Sequence, residues 1–307
     1  MTAQTKTAGL DRIARDDGTF AIVAMDQRNT LRRMFTKVGR AVPSDAELTD
    51  FKADITRALS PDASAMLVDP DLGAPAVHRE GVLAPGCGVM ITAETVEKHS
   101  WEGEPRAHFD TALGASWVRE LGGDALKFLV QLHPGRPVSP GSPDLVAEAL
   151  DAARAVIDDC RAHGIPSVIE NLIYTVPGAE PLTPEQRSDL IVESARLIDE
   201  LGADLVKLEY PGSPEACRRV AETVTGPWAV LSAGVAFDDF LDVLRISCDE
   251  GGASGFIAGR AFWGDAVDRD GRDRATFMAE EGRRRLDLCV DAIDGRARPW
   301  ASVGTSR

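Results

Sequence analysis

A single (β/α)8 TIM barrel is the fold this sequence predicts, and three observations predict it. Eight short apolar runs alternate with longer helical patterns, at a mean repeat of about 38 residues. Several runs are apolar at nearly every position, as strands buried on both faces of a parallel sheet are. The first run ends in Ala24-Met25-Asp26-Gln27-Arg28 and not in a Gly-x-Gly-x-x-Gly turn, which disfavours a doubly wound open sheet.

The strands are read, in order, at 20–25, 65–69, 88–91, 125–130, 166–170, 204–209, 228–231 and 255–258. Ser44 with Glu47 forms a capping box before a helix at 48–59, and Pro61 lies just beyond it. Ser142-Pro143 opens a helix at 144–163 that stops at Gly164. Thr183-Pro184-Glu185-Gln186 is a second box, with Gly202 ending its helix. Segments 213–224 and 237–250 carry the same helical spacing, and residues 276–293 form a last amphipathic stretch. The Gly/Pro-rich patches at 83–88 and 133–143 are short enough to be barrel loops. Residues 1–307 are therefore expected to form one domain with a C-terminal helical extension from about residue 276.

Composition narrows the partners. Forty-nine Asp+Glu stand against 34 Lys+Arg, a net charge of −15, so nucleic acid and anionic membrane are disfavoured on average. A small anion is still admissible where cations are gathered. The sequence has no 18-residue apolar run, and Met1 to Arg15 lacks the apolar centre of a leader. Five dispersed cysteines, without a C-x-x-C pair, suit a reduced compartment. A cytoplasmic protein is expected.

In such a barrel the chemistry projects from the C-terminal strand ends. Those ends read Asp26, Asp69, Lys127, Glu170, Lys207, Ser232 and Arg260. Lysine inside an apolar strand is costly unless it has work or a partner. If Lys207 points inward, Val206 and Leu208 face the helices; Lys127 gives the same result with Leu126 and Phe128. Two ammonium groups on alternate strands are expected to be neighbours and to depress each other's pKa, which makes an amine nucleophilic near neutral pH. Glu170, on the strand between, is placed to move protons while carbinolamine, imine and enamine interconvert. A buried Lys–Glu network without chemistry is the alternative.

Ser232-Ala233-Gly234 and Gly259-Arg260 follow the seventh and eighth strands, where this fold commonly holds phosphate. Asp26 stands where a hydroxyl contact or a turn would suit equally. Asp69 reads as a turn residue, Glu209 as the partner of a nearby cation, and Arg32 and Arg33 as a solvated helix face. The histidines, His78, His99, His108, His133 and His163, are too dispersed for a zinc site, so no metal and no cofactor are expected.

On these residues the chain resembles the class I ketose-phosphate aldolases, the family of tagatose 1,6-bisphosphate aldolase and sulfofructosephosphate aldolase. The likeness runs over residues 18–263. It rests on Ala-Met-Asp-Gln-Arg (24–28), Leu-Thr-Asp-Phe-Lys (48–52), residues 58–69, Ala-Leu-Lys (125–127), Ile-Glu (169–170), residues 202–209, residues 228–235 and residues 252–263. The resemblance implies a (β/α)8 fold, no metal, a Schiff base on Lys207, and reversible cleavage of a phosphorylated ketose to dihydroxyacetone phosphate and a three-carbon aldehyde. It implies Lys127 and Glu170 as proton-transfer and positioning partners. Ser232, Ala233, Gly234, Gly259 and Arg260 would hold phosphate, and Asp26 and Gln27 would touch hydroxyls.

The sequence departs from these relatives at Asn171-Leu172 and in the loops 70–75 and 131–137. Arg28, His133, Arg136 and Tyr174 are the candidates there for binding the tail group, phosphate or sulfonate. An imine on Lys127, a non-catalytic sugar-phosphate sensor and a sugar-phosphate isomerase or epimerase are the competing readings. Self-association into a homo-oligomer is the general expectation for barrels.

Overall fold

A computed structural model describes residues 9–95 and 97–303. The opening stretch read above for a leader lies, through residue 8, outside the described residues. Eight parallel strands close into a barrel: β1 (Phe20–Met25), β2 (Ala65–Val68), β3 (Gly88–Thr92), β4 (Ala125–Val130), β5 (Ser167–Asn171), β6 (Leu205–Leu208), β7 (Trp228–Val230) and β8 (Gly255–Ala258). Each pairs with its neighbour in sequence, and β8 returns to β1 in the register Phe20↔Gly255 through Val23↔Ala258. Closure needs glycine on β8. A Cβ at Gly255 would stand 2.0 Å from the Phe20 carbonyl oxygen, and one at Gly259 1.8 Å from that of Ala24.

The caps form much as the sequence directs. Helix α1 is Asn29–Lys37, and α2 (Asp45–Leu59) starts on the Ser44/Glu47 box. Short helices α3 (Gly73–Val77) and α4 (Ala115–Glu120) follow β2 and precede β4. Helix α5 (Leu145–His163) is capped by the Asp144 side chain on Ala147 N, two residues beyond Ser142, and ends on left-handed Gly164. Helix α6 (Pro184–Leu201) carries the Thr183/Gln186 box, and α7 (Pro214–Thr223) and α8 (Phe237–Asp249) follow β6 and β7. After the one-turn α9 (Arg260–Trp263), the terminal extension begins earlier than read. It comprises α10 (Gly271–Phe277), a π-helical turn at Met278–Gly282 and α11 (Arg283–Ile293). A two-stranded hairpin, Ser100–Trp101 with Glu104–Pro105, lies between β3 and β4 and has no apolar period to announce it.

Packing separates two layers. Val206, Leu208, Leu126 and Phe128 join the large cluster between sheet and helices, whereas Leu205, Ala125 and Val168 join the cluster inside the barrel. Side-chain alternation therefore turns Lys207, Lys127 and Glu170 inward, above those interior residues. Leu10, Ile13 and Ala14 plug the opposite end, with Trp300 packed beside them. Among the described residues no helix is long and apolar enough to cross a membrane.

Candidate active site

A cavity of about 450 Å³ opens at the C-terminal strand ends. Asp26, Gln27, Lys127, Glu170, Lys207, Ser232, Ala233, Gly259 and Arg260 line it together. At its floor Glu170 receives two ammonium groups: Lys127 Nζ lies 2.7 Å from Oε2 and Lys207 Nζ 2.9 Å from Oε1. The β5–β6 register, which sets Glu170 beside Lys207, makes this possible. Lys127 also reaches Glu94 Oε1 at 2.8 Å and Asp26 Oδ2 at 3.2 Å.

These contacts revise the expected electrostatics of Lys127. Burial works against its charge, but Glu170, Glu94 and Asp26 together hold its pKa well above the ordinary lysine value, so Lys127 is a permanent ammonium. The mutual depression expected of the lysine pair is outweighed there by three carboxylates. Asp26 responds in the opposite sense. Burial favours its neutral form, yet Lys127, then Lys207, then the more distant Lys52 hold its pKa down to about 2. Glu170 is lowered as well, with Lys127 and Lys207 outweighing burial. Glu94 is the exception, since burial raises its pKa further than Lys127 lowers it.

The other end of the cavity is built from turns. Ala233 (φ +48°) and Gly234 (φ +83°) both take left-handed backbone after β7. Gly234 does not itself line the cavity but backs the Arg260 guanidinium that does, where a Cβ would stand 3.3 Å from Cζ. Among the described residues no carboxylate lies within 4.0 Å of Arg260 or of Lys98, which also lines the cavity. Gln27 Oε1 is buried there without a hydrogen-bond partner.

Several tail-group candidates are occupied elsewhere. Arg28 donates to Asp71 Oδ2 at 2.9 Å and to the Glu94 carbonyl at 2.7 Å, stitching loops together outside the cavity. Arg136 is buried in a bidentate pair with Glu104 (2.6 and 2.8 Å), and Tyr174 Oη donates to the same carboxylate at 2.9 Å. The Arg136 hydrogen bond holds Glu104 below the usual carboxylate range, while burial and then Glu104 push the Tyr174 phenol up. This cluster, with the His133 ring packed edge-on against Tyr174, ties the hairpin to the loops after β4 and β5. Glu209 pairs with Arg187, Arg32 reaches Asp45, and Asp69 is a turn residue as read, accepting from Leu72 N and Gly73 N, but one that is fully buried.

Sequence reasoning passed over Glu94 and Lys98. Glu94 stands two residues beyond β3, the kind of position that singled out Asp26 and Glu170, whereas Lys98 sits in a loop with no pattern to mark it. A second cavity of about 370 Å³ adjoins the first. It shares Lys98, Leu129 and Gln131 with it and adds Glu94, His99 and His108. Among the described residues no three His, Cys, Asp or Glu side chains are grouped to hold a metal ion.

The model of the DeoC/LacD family aldolases matches residues 20–265, from the first strand to just past the eighth. The chain belongs to the DeoC/LacD aldolase family. The aldolase is 25% identical over 316 residues to tagatose 1,6-diphosphate aldolase 2 of Streptococcus pyogenes serotype M3, covering 92% of this chain and 93% of that protein. It is 26% identical over 330 residues to tagatose 1,6-diphosphate aldolase of Listeria monocytogenes serovar 1/2a, covering 96% and 93%. In fold it superposes on an archaeal fructose 1,6-bisphosphate aldolase with a TM-score of 0.60 at 16% identity, covering 91% of this chain and 98% of that one. The fructose-bisphosphate aldolase of Plasmodium falciparum gives 0.69 at 13% identity, covering 94% and 93%.

Proposed function

We propose that this aldolase reversibly cleaves a phosphorylated ketose, of the sulfofructose 1-phosphate or tagatose 1,6-bisphosphate type, to dihydroxyacetone phosphate and a three-carbon aldehyde through a Schiff base on Lys207, without a metal. One observation carries the reading: Glu170 bridges Lys127 and Lys207 at the floor of a cavity whose rim presents Arg260. The curated relatives, named for tagatose 1,6-diphosphate cleavage, support the substrate class.

In this mechanism Lys207 Nζ passes a proton to Glu170 and then adds to the ketose C2 carbonyl. Glu170, 2.9 Å from Lys207 Nζ, accepts and returns the protons while the carbinolamine loses water to give the iminium. The C3–C4 bond then breaks: its electrons flow to the iminium nitrogen, and the C4 hydroxyl proton passes to a carboxylate, which releases the aldehyde. Protonation of the enamine at C3 and hydrolysis of the resulting iminium release dihydroxyacetone phosphate and regenerate Lys207. Lys127, permanently charged, orients Glu170 and steadies negative charge developing on substrate oxygens. Asp26 and Gln27 receive hydroxyls. Ser232, Ala233, Gly234 and Gly259 present backbone to the phosphate, and Arg260 supplies its cation. Lys98, also without a carboxylate partner, suits an anionic tail, phosphate or sulfonate, at the far end of the ketose.

Borohydride trapping with dihydroxyacetone phosphate tests this. A stable adduct mapped to Lys207, lost in Lys207→Ala, is expected. Mapping to Lys127 would move the imine to β4, and full activity of Lys207→Ala or complete loss with a chelator would overturn the mechanism. A retro-aldol screen of tagatose 1,6-bisphosphate, fructose 1,6-bisphosphate and sulfofructose 1-phosphate, coupled to dihydroxyacetone phosphate detection, decides the substrate. Binding without a trapped imine would indicate a sensor, and proton exchange without carbon–carbon cleavage an isomerase.

A further inference from the structure

Lys52 has no exposed surface and touches none of the cavity, yet it holds the strand end that carries Asp26. Its ammonium projects from α2 and donates to the Met25 carbonyl at 2.6 Å and to the Gln27 carbonyl at 3.0 Å, the two peptide oxygens that flank Asp26. Its third partner is the Asp69 carboxylate, buried to the same degree. Asp69 in turn accepts from Leu72 N at 2.8 Å and Gly73 N at 3.2 Å, which fixes the start of α3. Gly73 leaves no slack, because a Cβ there would press on Val68 Cβ at 2.7 Å and Asp69 Oδ1 at 3.0 Å.

The β1–β2 ladder ends at Met25↔Val68, so the chain beyond it has no strand partner. Carbonyls left there without donors would be costly, and a lysine with three aimed N–H groups satisfies two of them at once. A buried ion pair is seldom kept for stability alone, since an apolar pair of similar size commonly does as well. Here the pair sits where the backbone must turn so that the Asp26 side chain meets Lys127 at 3.2 Å.

We propose that Lys52 is a positioning residue of the aldolase: seated between the Met25 and Gln27 carbonyls and anchored by Asp69, it sets the angle at which Asp26 enters the cavity. The inference rests on the role given to Asp26 in the proposed reaction.

The test uses the full chain with tagatose 1,6-bisphosphate as probe. Wild type is measured first: no cleavage of this probe or of the two other ketose phosphates screened above, with no trapped Lys207, would overturn the reaction proposed above, not the role of Lys52. Given an active wild type, the decisive variant is Lys52→Met/Asp69→Asn, which leaves no lone buried charge. It is expected to keep the wild-type far-ultraviolet circular dichroism, the full trapped adduct at Lys207 and an unchanged KM. Its kcat is expected to fall about 10- to 100-fold, as a catalytic group displaced by near an ångström does. In an Asp26→Asn background the same pair of substitutions should cost nothing more, because Lys52 acts through Asp26. Unchanged kcat, a further multiplicative loss beside Asp26→Asn, or loss of the fold in the double variant would each overturn the proposal.

Discussion

The Lys127 ammonium and the Glu170 carboxylate meet at 2.7 Å on adjacent strands, with little of either side chain exposed to solvent. Removing the lysine leaves Glu94 and Asp26 without their paired cation and Glu170 with Lys207 alone. Lys127→Met is therefore expected to destabilise the fold by about 3–5 kcal/mol, as loss of one member of a buried pair does. Urea unfolding reads that loss. Turnover should drop about 10²- to 10³-fold, the usual worth of one group that stabilises developing charge, while Lys207 still traps.

At the other end of the cavity, Gly234 and Arg260 act as a pair. Arg260→Ala is expected to raise KM for a phosphorylated ketose about 10- to 150-fold, the equivalent of one charge-assisted hydrogen bond at about 1.5–3 kcal/mol. Gly234→Ala should raise KM as well, because its left-handed backbone disfavours a side chain and the added methyl presses on the guanidinium. Steady-state kinetics on both variants check this, and unchanged KM in Arg260→Ala would remove Arg260 from the phosphate site.

Glu94 gives a pH signature of opposite sign to its neighbours. Its folded pKa is raised, so folding is disfavoured by its ionisation at high pH, and that penalty disappears as pH falls through the raised value. Glu94→Gln should therefore be more stable than wild type at pH 8 and nearly equal to it at pH 4. Asp26, held near 2, contributes stability that is present above the ordinary carboxylate range and lost as pH falls through about 2. Chemical denaturation of wild type and Glu94→Gln across pH 2–8 separates the two.

Cysteine accessibility follows burial. Burial pushes the Cys217 and Cys248 thiols up to about 12 and raises Cys160 and Cys289 as well. Cys87 alone of the five is partly exposed. An aromatic disulfide reagent at pH 8 should label one thiol in the native chain and five after denaturation, and a Cys87→Ser variant should show no native labelling.

Much of this was legible in the sequence because period-two parity is strict. Once Lys207 is set on a buried strand, its apolar neighbours fix which way it points, and Lys127 and Glu170 follow. Capping boxes at Ser44 and Thr183 were equally readable, being local chemistry. Long-range pairing was not. Arg28 and Arg136 read as free cations near the mouth, and only the folded loops show Asp71 and Glu104 taking them. Lys52 lies in Leu-Thr-Asp-Phe-Lys (48–52), yet its partners come from two segments distant in sequence, 25–27 and Asp69. The expected pKa of Lys127 failed for a similar reason: Glu94 arrives from β3, and its charge entered no pairwise reading of the lysines.

The β1–β8 seam carries a kinetic consequence. Phe20 and Gly255 are register partners from the first and last strands in sequence, so their contact is among the least local in the fold and slow to form. Asp26 follows one side of that seam and Arg260 the other. A chain emerging from the ribosome can assemble the lysine–glutamate floor from β4 to β6 while β1 still lacks its last neighbour. Asp26 and Arg260 face one cavity only after the ring has closed, so the complete cavity forms later than the lysine–glutamate contacts at its floor.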